Sequence, residues 1–173
     1  MCSPNFDRRP EGTVVELVVV HGISLPPGRF GGQAIEQLFT NRLDTAAHPF
    51  YRQLEGVRVS SHFLIRRGGE LVQFVACGAR AWHAGPSVWR GRSRCNDFSI
   101  GIELEGTDER TYTARQYARL ATLVRLLRAA YPSLLGIAGH SEIAPGRKTD
   151  PGNCFDWRKL ANEAGLPDDF RPV

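Results

Sequence analysis

No hydrophobic run in the chain approaches the ~20 residues that a membrane-spanning helix requires, so no membrane role is expected. The longest run, Thr13–Val20 (TVVELVVV), is interrupted by Glu16 and follows charged residues. It lacks the basic start, continuous apolar stretch and small-residue cleavage site of a secretory signal, which points to a cytoplasmic protein. Paired cysteines are missing as well. Cys2, Cys77, Cys95 and Cys154 form no C-x-x-C motif, which argues against a disulfide-stapled secreted domain and against a structural zinc knuckle. Reduced thiols are the expectation. Lysine is scarce: only Lys148 and Lys159 stand among 22 basic residues. The arginines are scattered, with local clusters at Arg66–Arg67 and at Arg90, Arg92 and Arg94, and no helix carries a basic stripe interleaved with aromatics. The net charge of +4 therefore predicts no nucleic-acid partner. Guanidinium forks also pair with carboxylate-bearing ligands, but most of these arginines read as solvated surface.

What is present is an ordinary globular composition, 42% hydrophobic and 23% charged. A chain of 173 residues is long enough for one well-filled core. With no repeat, low-complexity tract or linker, residues 1–173 are read as one domain. Thr13–Val20 reads as a buried strand, short, continuous and valine-rich, that delivers His21 into a glycine- and proline-rich loop. Gln33–Phe39 is a candidate short helix. Val57–Arg67 and Glu70–Ala76 flank Gly68–Gly69, a hairpin signal. Phe98–Leu104 is a further strand. Thr113 and Gln116 form a capping box, followed by Leu120, Leu123, Val124 and Leu127 at helical spacing, and Pro132 ends that helix. Leu134–Ala138 leads to His140, and Trp157–Ala164 is a closing helix. Strands alternate with helices but include a hairpin. The expected class is α/β (α+β), a central mixed sheet flanked by helices.

A catalytic zinc site takes three protein ligands and keeps one position open, and its ligands sit best where strands give way to loops. His21 and His140 stand at such points. Asp150 follows in a loop stiffened by Pro145 and Pro151. Two imidazoles and one carboxylate suit zinc over magnesium or calcium, which prefer oxygen shells. Spacing alone leaves other combinations open, because His48, His62 and His83 are also available. Glu103 lies in an apolar strand, where a carboxylate is costly without a partner or a task. Beside a zinc site it suits a proton acceptor; otherwise it faces solvent on the strand's polar edge, as Glu105 is expected to. Lys148, a compact ammonium in an arginine-rich chain, suits a point charge for an oxyanion.

The stretches VVVHGISLPPGRFGG, HPFY, VRVSSHFLIRRGGELVQFV, RAWHAG, GRSRCNDFSIGIELEGTD and GHSEIAPGRKTDPG resemble, in order and spacing, the AmpD-type N-acetylmuramoyl-L-alanine amidases. The likeness runs from about Ser3 to about Trp157. It implies the sheet architecture shared with phage-lysozyme-type amidases and peptidoglycan recognition proteins. It also implies a bacterial cytoplasmic enzyme with one zinc ion per chain. Such enzymes cleave the amide between 1,6-anhydro-N-acetylmuramic acid and L-alanine, which recycles cell-wall fragments and keeps the β-lactamase-inducing fragment low. Their ligands fall on His21, His140 and Asp150, the water-activating glutamate on Glu103 and the oxyanion lysine on Lys148. Substrate contacts fall near Arg58, His62, Trp82 and Arg94, with Trp82 against a sugar ring and Arg94 on a stem-peptide carboxylate. The expected partner is an anhydro-muropeptide, with no obligatory protein partner.

Two positions depart from the family pattern. Gly22 stands where Asn is common, which removes a side-chain hydrogen bond near the substrate. Phe50 stands where Tyr is frequent, so the phenol is either absent or supplied by Tyr51. Two other readings are weighed against a cytoplasmic recycling amidase. One is a non-catalytic muropeptide-recognition module; the presence of Asp150, Glu103 and Lys148 favours an enzyme. The other is an exported amidase acting on intact peptidoglycan, which the absence of a recognisable signal disfavours.

Overall fold

The computed structural model describes residues 1–170. Strand β1 (Phe6–Arg8) precedes the central strand β2 (Leu17–Ile23), and helix α1 (Ala34–Phe39) follows. A hairpin comes next, β3 (Phe63–Ile65) and β4 (Leu71–Gln73), then β5 (Ala79–Ala81) and the two-residue strands β6 (Val88–Trp89) and β7 (Arg92–Ser93). Strand β8 (Ser99–Glu105) leads to the long helix α2 (Ala114–Ala130). Strand β9 (Gly136–Gly139) runs directly into the single-turn helix α3 (His140–Ile143), and α4 (Trp157–Ala164) completes the regular elements.

The main sheet has the order β4-β3-β8-β2-β9. Four strands are parallel and β4 closes one edge antiparallel to β3. This is the mixed sheet expected from the sequence. Its central strands are buried on both faces, the burial pattern of parallel sheets covered by helices. Period-2 alternation sends Val18, Val20, Ile100, Ile102 and Leu104 to one face. There they pack against Leu120, Val124 and Leu127 of α2 and Leu160 of α4. The opposite face carries Leu17, Val19 and His21 from β2 and Ser99, Gly101, Glu103 and Glu105 from β8.

Register then places the chemistry. In the parallel pairing of β2 with β8, His21 lies opposite Glu103. Strand β2 begins four residues later than the valine run suggests and extends past it, so His21 is held within the ladder and not just beyond it. The hairpin is present but its strands are short, and residues 57–62 are irregular. Helix α2 has both reciprocal hydrogen bonds of its capping box at Thr113 and Gln116. Helix α4 spans the expected residues, with Asp156 accepting from the Lys159 N–H and Gly165 in the left-handed region at its end. All four cysteines are free.

Candidate active site

Three elements bring the expected ligands together. His21 comes from β2, His140 is the first residue of α3, and Asp150 lies in the loop after α3. The Ser141 N–H donates to the Asp150 carbonyl oxygen at 2.9 Å, folding that loop back on its origin. Nδ1 of His21 stands 3.0 Å from Nδ1 of His140, and each is 3.2 Å from Oδ2 of Asp150. Donors at zinc–ligand distances in a tetrahedral shell are about 3.3 Å apart, so this spacing matches a shared ion.

Protonation agrees with the geometry. His140 directs Nε2 at the Ala84 carbonyl oxygen, 3.1 Å away. A carbonyl only accepts, so Nε2 carries a proton, and Nδ1 is the nitrogen turned towards His21 and Asp150. Burial outweighs the Asp150 hydrogen bond and lowers the His21 pKa to about 4, leaving that ring neutral. Burial works against ionisation of Asp150, but the adjoining His140 and His21 rings outweigh it and hold the carboxyl below its usual range. A neutral His21 imidazole beside an ionised Asp150 carboxylate gives two of the ligand forms that zinc takes. Among the described residues, this is the cluster whose donor atoms converge as a metal site would need.

Glu103 and Lys148 line the same cavity of about 200 Å³, together with His21, His140, Asp150 and Trp82. Glu103 is 8% exposed. Burial first, and the nearby Asp150 charge second, raise its pKa well above the ordinary carboxylate value, while Lys148 pulls it down. Lys148 also borders a larger groove of about 780 Å³ that runs past Asp108, Pro145 and Trp157. Trp82 is half-buried, its main chain tied to Ser60 in both directions, and its indole N–H has no partner.

Other expected contacts lie elsewhere. His62 is 0% exposed. Its Nδ1 accepts from the Gly101 N–H at 3.0 Å and its Nε2 faces the Ala79 carbonyl oxygen at 3.1 Å, so the ring braces two backbone segments and is closed to substrate. Arg94 does not border the catalytic cavity; its side chain is 71% exposed and pairs with Asp97 at 3.1 Å. Arg58 borders a separate small hollow that shares Leu38 with the catalytic cavity. Tyr51 is buried against the apolar cluster around Leu25, Leu38 and Phe39, so neither it nor Phe50 brings a phenol to the cavity.

Gly22 has a structural reason. A Cβ at this position would overlap the hydroxyl of Tyr112, which donates to the Pro151 carbonyl oxygen at 2.9 Å. The space next to the first ligand is filled by a phenol that anchors the Asp150 loop. Glu105 is not on a solvent face. It is 2% exposed, accepts from the N–H groups of Gly31 (2.6 Å) and Arg67 (3.1 Å), and pairs with Arg66. It thereby ties the LPPGRFGG loop to the sheet.

Residues 11–153 match the N-acetylmuramoyl-L-alanine amidase family. The chain belongs to that family. Among its relatives is the 1,6-anhydro-N-acetylmuramyl-L-alanine amidase AmpD of Salmonella typhimurium, 57% identical over 91% of this chain and 85% of that protein. The Escherichia coli AmpD is 56% identical over 91% of this chain and 87% of its own length. A crystal structure of AmpD superposes with a TM-score of 0.92 at 52% identity, covering 94% of this chain and 92% of that one. The amidase is thus of the AmpD type and an enzyme. The E. coli amidase AmiD, solved with anhydro-N-acetylmuramic acid-L-Ala-D-γ-Glu-L-Lys, aligns at a TM-score of 0.62 and 28% identity, over 90% of this chain and 60% of that one. In this amidase no sequence motif marks the Ala84 carbonyl that orients His140, the Tyr112 hydroxyl, or His83, whose Nδ1 stands 2.9 Å from Nε2 of His21.

Proposed function

We propose that this amidase hydrolyses the amide between the lactyl group of 1,6-anhydro-N-acetylmuramic acid and L-alanine, with one zinc ion held by His21, His140 and Asp150. The observation that carries the reading is the convergence of two imidazole Nδ1 atoms and a carboxylate at 3.0–3.2 Å, with His21 paired across the sheet to a buried glutamate. When bound there, zinc supplies a Lewis acid for the scissile carbonyl and lowers the pKa of a water towards ~7.

The protein side of the mechanism uses two groups. Glu103 accepts a proton from the attacking water, a role that its raised pKa suits. As the C–N bond breaks, the same carboxyl returns that proton to the departing alanine nitrogen. Lys148 opposes the charge that develops on the carbonyl oxygen. Trp82, half-buried on the cavity wall, offers an apolar face to the sugar. Arg58, through its neighbouring hollow, and the exposed Arg94 are left as outer contacts for the stem peptide. The proposed setting is cytoplasmic recycling of cell-wall fragments, with lower β-lactamase induction as its consequence. Likeness to the AmpD enzymes supports this, and free thiols are compatible with a reducing compartment.

Glu103→Gln tests the assignment. Zinc content should stay at one per chain while kcat on an anhydro-muropeptide falls ~100-fold or more, the scale of acid–base contributions. Retained activity would remove Glu103 from the reaction.

A further inference from the structure

Behind the ligand triad lies a directional chain of hydrogen bonds that the mechanism above does not use. Nε2 of His21 stands 2.9 Å from Nδ1 of His83, and Nε2 of His83 stands 3.2 Å from Oγ of Ser99. The Ser99 hydroxyl lies 2.6 Å from the Cys95 carbonyl oxygen. Its polarity follows from that far end. The Cys95 carbonyl cannot donate, so the Ser99 hydroxyl spends its hydrogen there and must accept from His83. The His83 proton is then on Nε2, and its Nδ1 has a lone pair. That lone pair can only accept, so the His21 proton is on Nε2. Nδ1 of His21 is left as a bare donor aimed at His140 and Asp150.

We propose that His83 and Ser99 are positioning residues that fix the tautomer and ring orientation of His21 for the metal. This rests on the zinc reading. Outer partners of ligating histidines commonly set tautomer and ligand basicity in this way.

Three further observations show a built arrangement. A Cβ at residue 101 would stand 2.5 Å from Cγ of His83, so the glycine of the SIGIE segment leaves room for this ring. The Asn96 side-chain oxygen accepts from the N–H groups of both His83 (3.1 Å) and Ala84 (2.8 Å). Arg147 donates to the carbonyl oxygens of Ala84 and Pro86, 2.6 Å each. One short segment therefore presents the imidazole that orders His21 and the carbonyl that orders His140, and it is clamped from both sides.

The test is nitrogen-15 NMR of the zinc-loaded protein, with zinc content measured on the same sample. His83 should be neutral and protonated at Nε2, with a scalar coupling across the bond from His21 Nε2–H to His83 Nδ1. A His83 protonated at Nδ1, or no coupling, would overturn the proposal even with zinc fully bound. Absence of zinc from the unsubstituted protein would instead overturn the functional reading, and the His83 tautomer would still be read in that sample. Among variants, His83→Phe should weaken zinc binding roughly 10- to 100-fold, measured by chelator competition. His83→Asn, which restores an acceptor near the Nδ1 position, should recover most of the loss. Ser99→Ala should leave His83 in place but populate both of its tautomers. Equal zinc affinity in His83→Phe and His83→Asn would contradict the proposal.

Discussion

At the scale of single residues, Glu103 shows how function and stability oppose each other. A carboxylate buried in a strand costs free energy unless it is paired, and Glu103 makes no hydrogen bond among the described residues. Its pKa is raised in the folded state, chiefly by burial. The native state therefore holds this proton to higher pH than the unfolded chain does. The linkage gives a sign: the stability is present below the unfolded pKa and is lost as pH rises through the folded value. In metal-free protein, Glu103→Gln should raise Tm near pH 8, with a smaller gain near pH 5. Thermal melts at both pH values check this, and a variant that melts lower at pH 8 would contradict it. One substitution should thus stabilise the fold and stop the reaction. This tension is legible in the sequence as a glutamate among isoleucines and leucines. Glu105, two residues on, looks the same in sequence yet is structural, because its donors, Gly31 and Arg67, arrive from distant loops.

Gly22 and Tyr112 form the other informative pair at this scale. The Tyr112 hydroxyl occupies the volume that a side chain at residue 22 would need. Gly22→Asn should destabilise the protein, whereas Gly22→Asn in a Tyr112→Phe background should cost much less. A double-mutant cycle should give a coupling of about 1 kcal/mol or more, as for residues in contact. Additive effects would show that the phenol is not what excludes a side chain.

At the scale of elements, β2 and β8 carry the site because parallel register puts His21 beside Glu103 on one face. Hydrophobic pattern located both strands but not their ends. The valine run suggested that β2 stops at Val20, yet the ladder extends to Ile23 because β8 continues beside it to Glu105. Helices α2 and α4 lie where the sequence pattern puts them, because helical spacing, and for α2 a capping box, are local signals. His62 is the opposite case, a buried ring whose partners are remote in sequence. Its neighbours Gly101 and Ala79 come from other strands, and nothing in the local sequence marks the ring as closed to substrate. Thr113→Ala should cost about 1 kcal/mol by removing the cap of α2, with zinc affinity unchanged. Chemical denaturation measures the first and chelator competition the second; weakened zinc binding would show that α2 is coupled to the site.

At the scale of the whole molecule, one sheet face is apolar and packed under α2 and α4, and the other is given to chemistry. Ligands, proton acceptor and the His83–Ser99 chain all project from that second face or from segments laid against it. The site is held by backbone ladders on one side and by the clamped 83–86 segment on the other. Motif order makes the family readable from sequence and points to the proposed ligand triad, while the outer partners require the fold. The most direct test is mass spectrometry of products from an anhydro-muropeptide, run with the intact enzyme, after chelation, and after zinc is restored. Free peptide beginning with L-alanine should appear, vanish on chelation and return with zinc. Undiminished release by the metal-stripped protein would contradict the account.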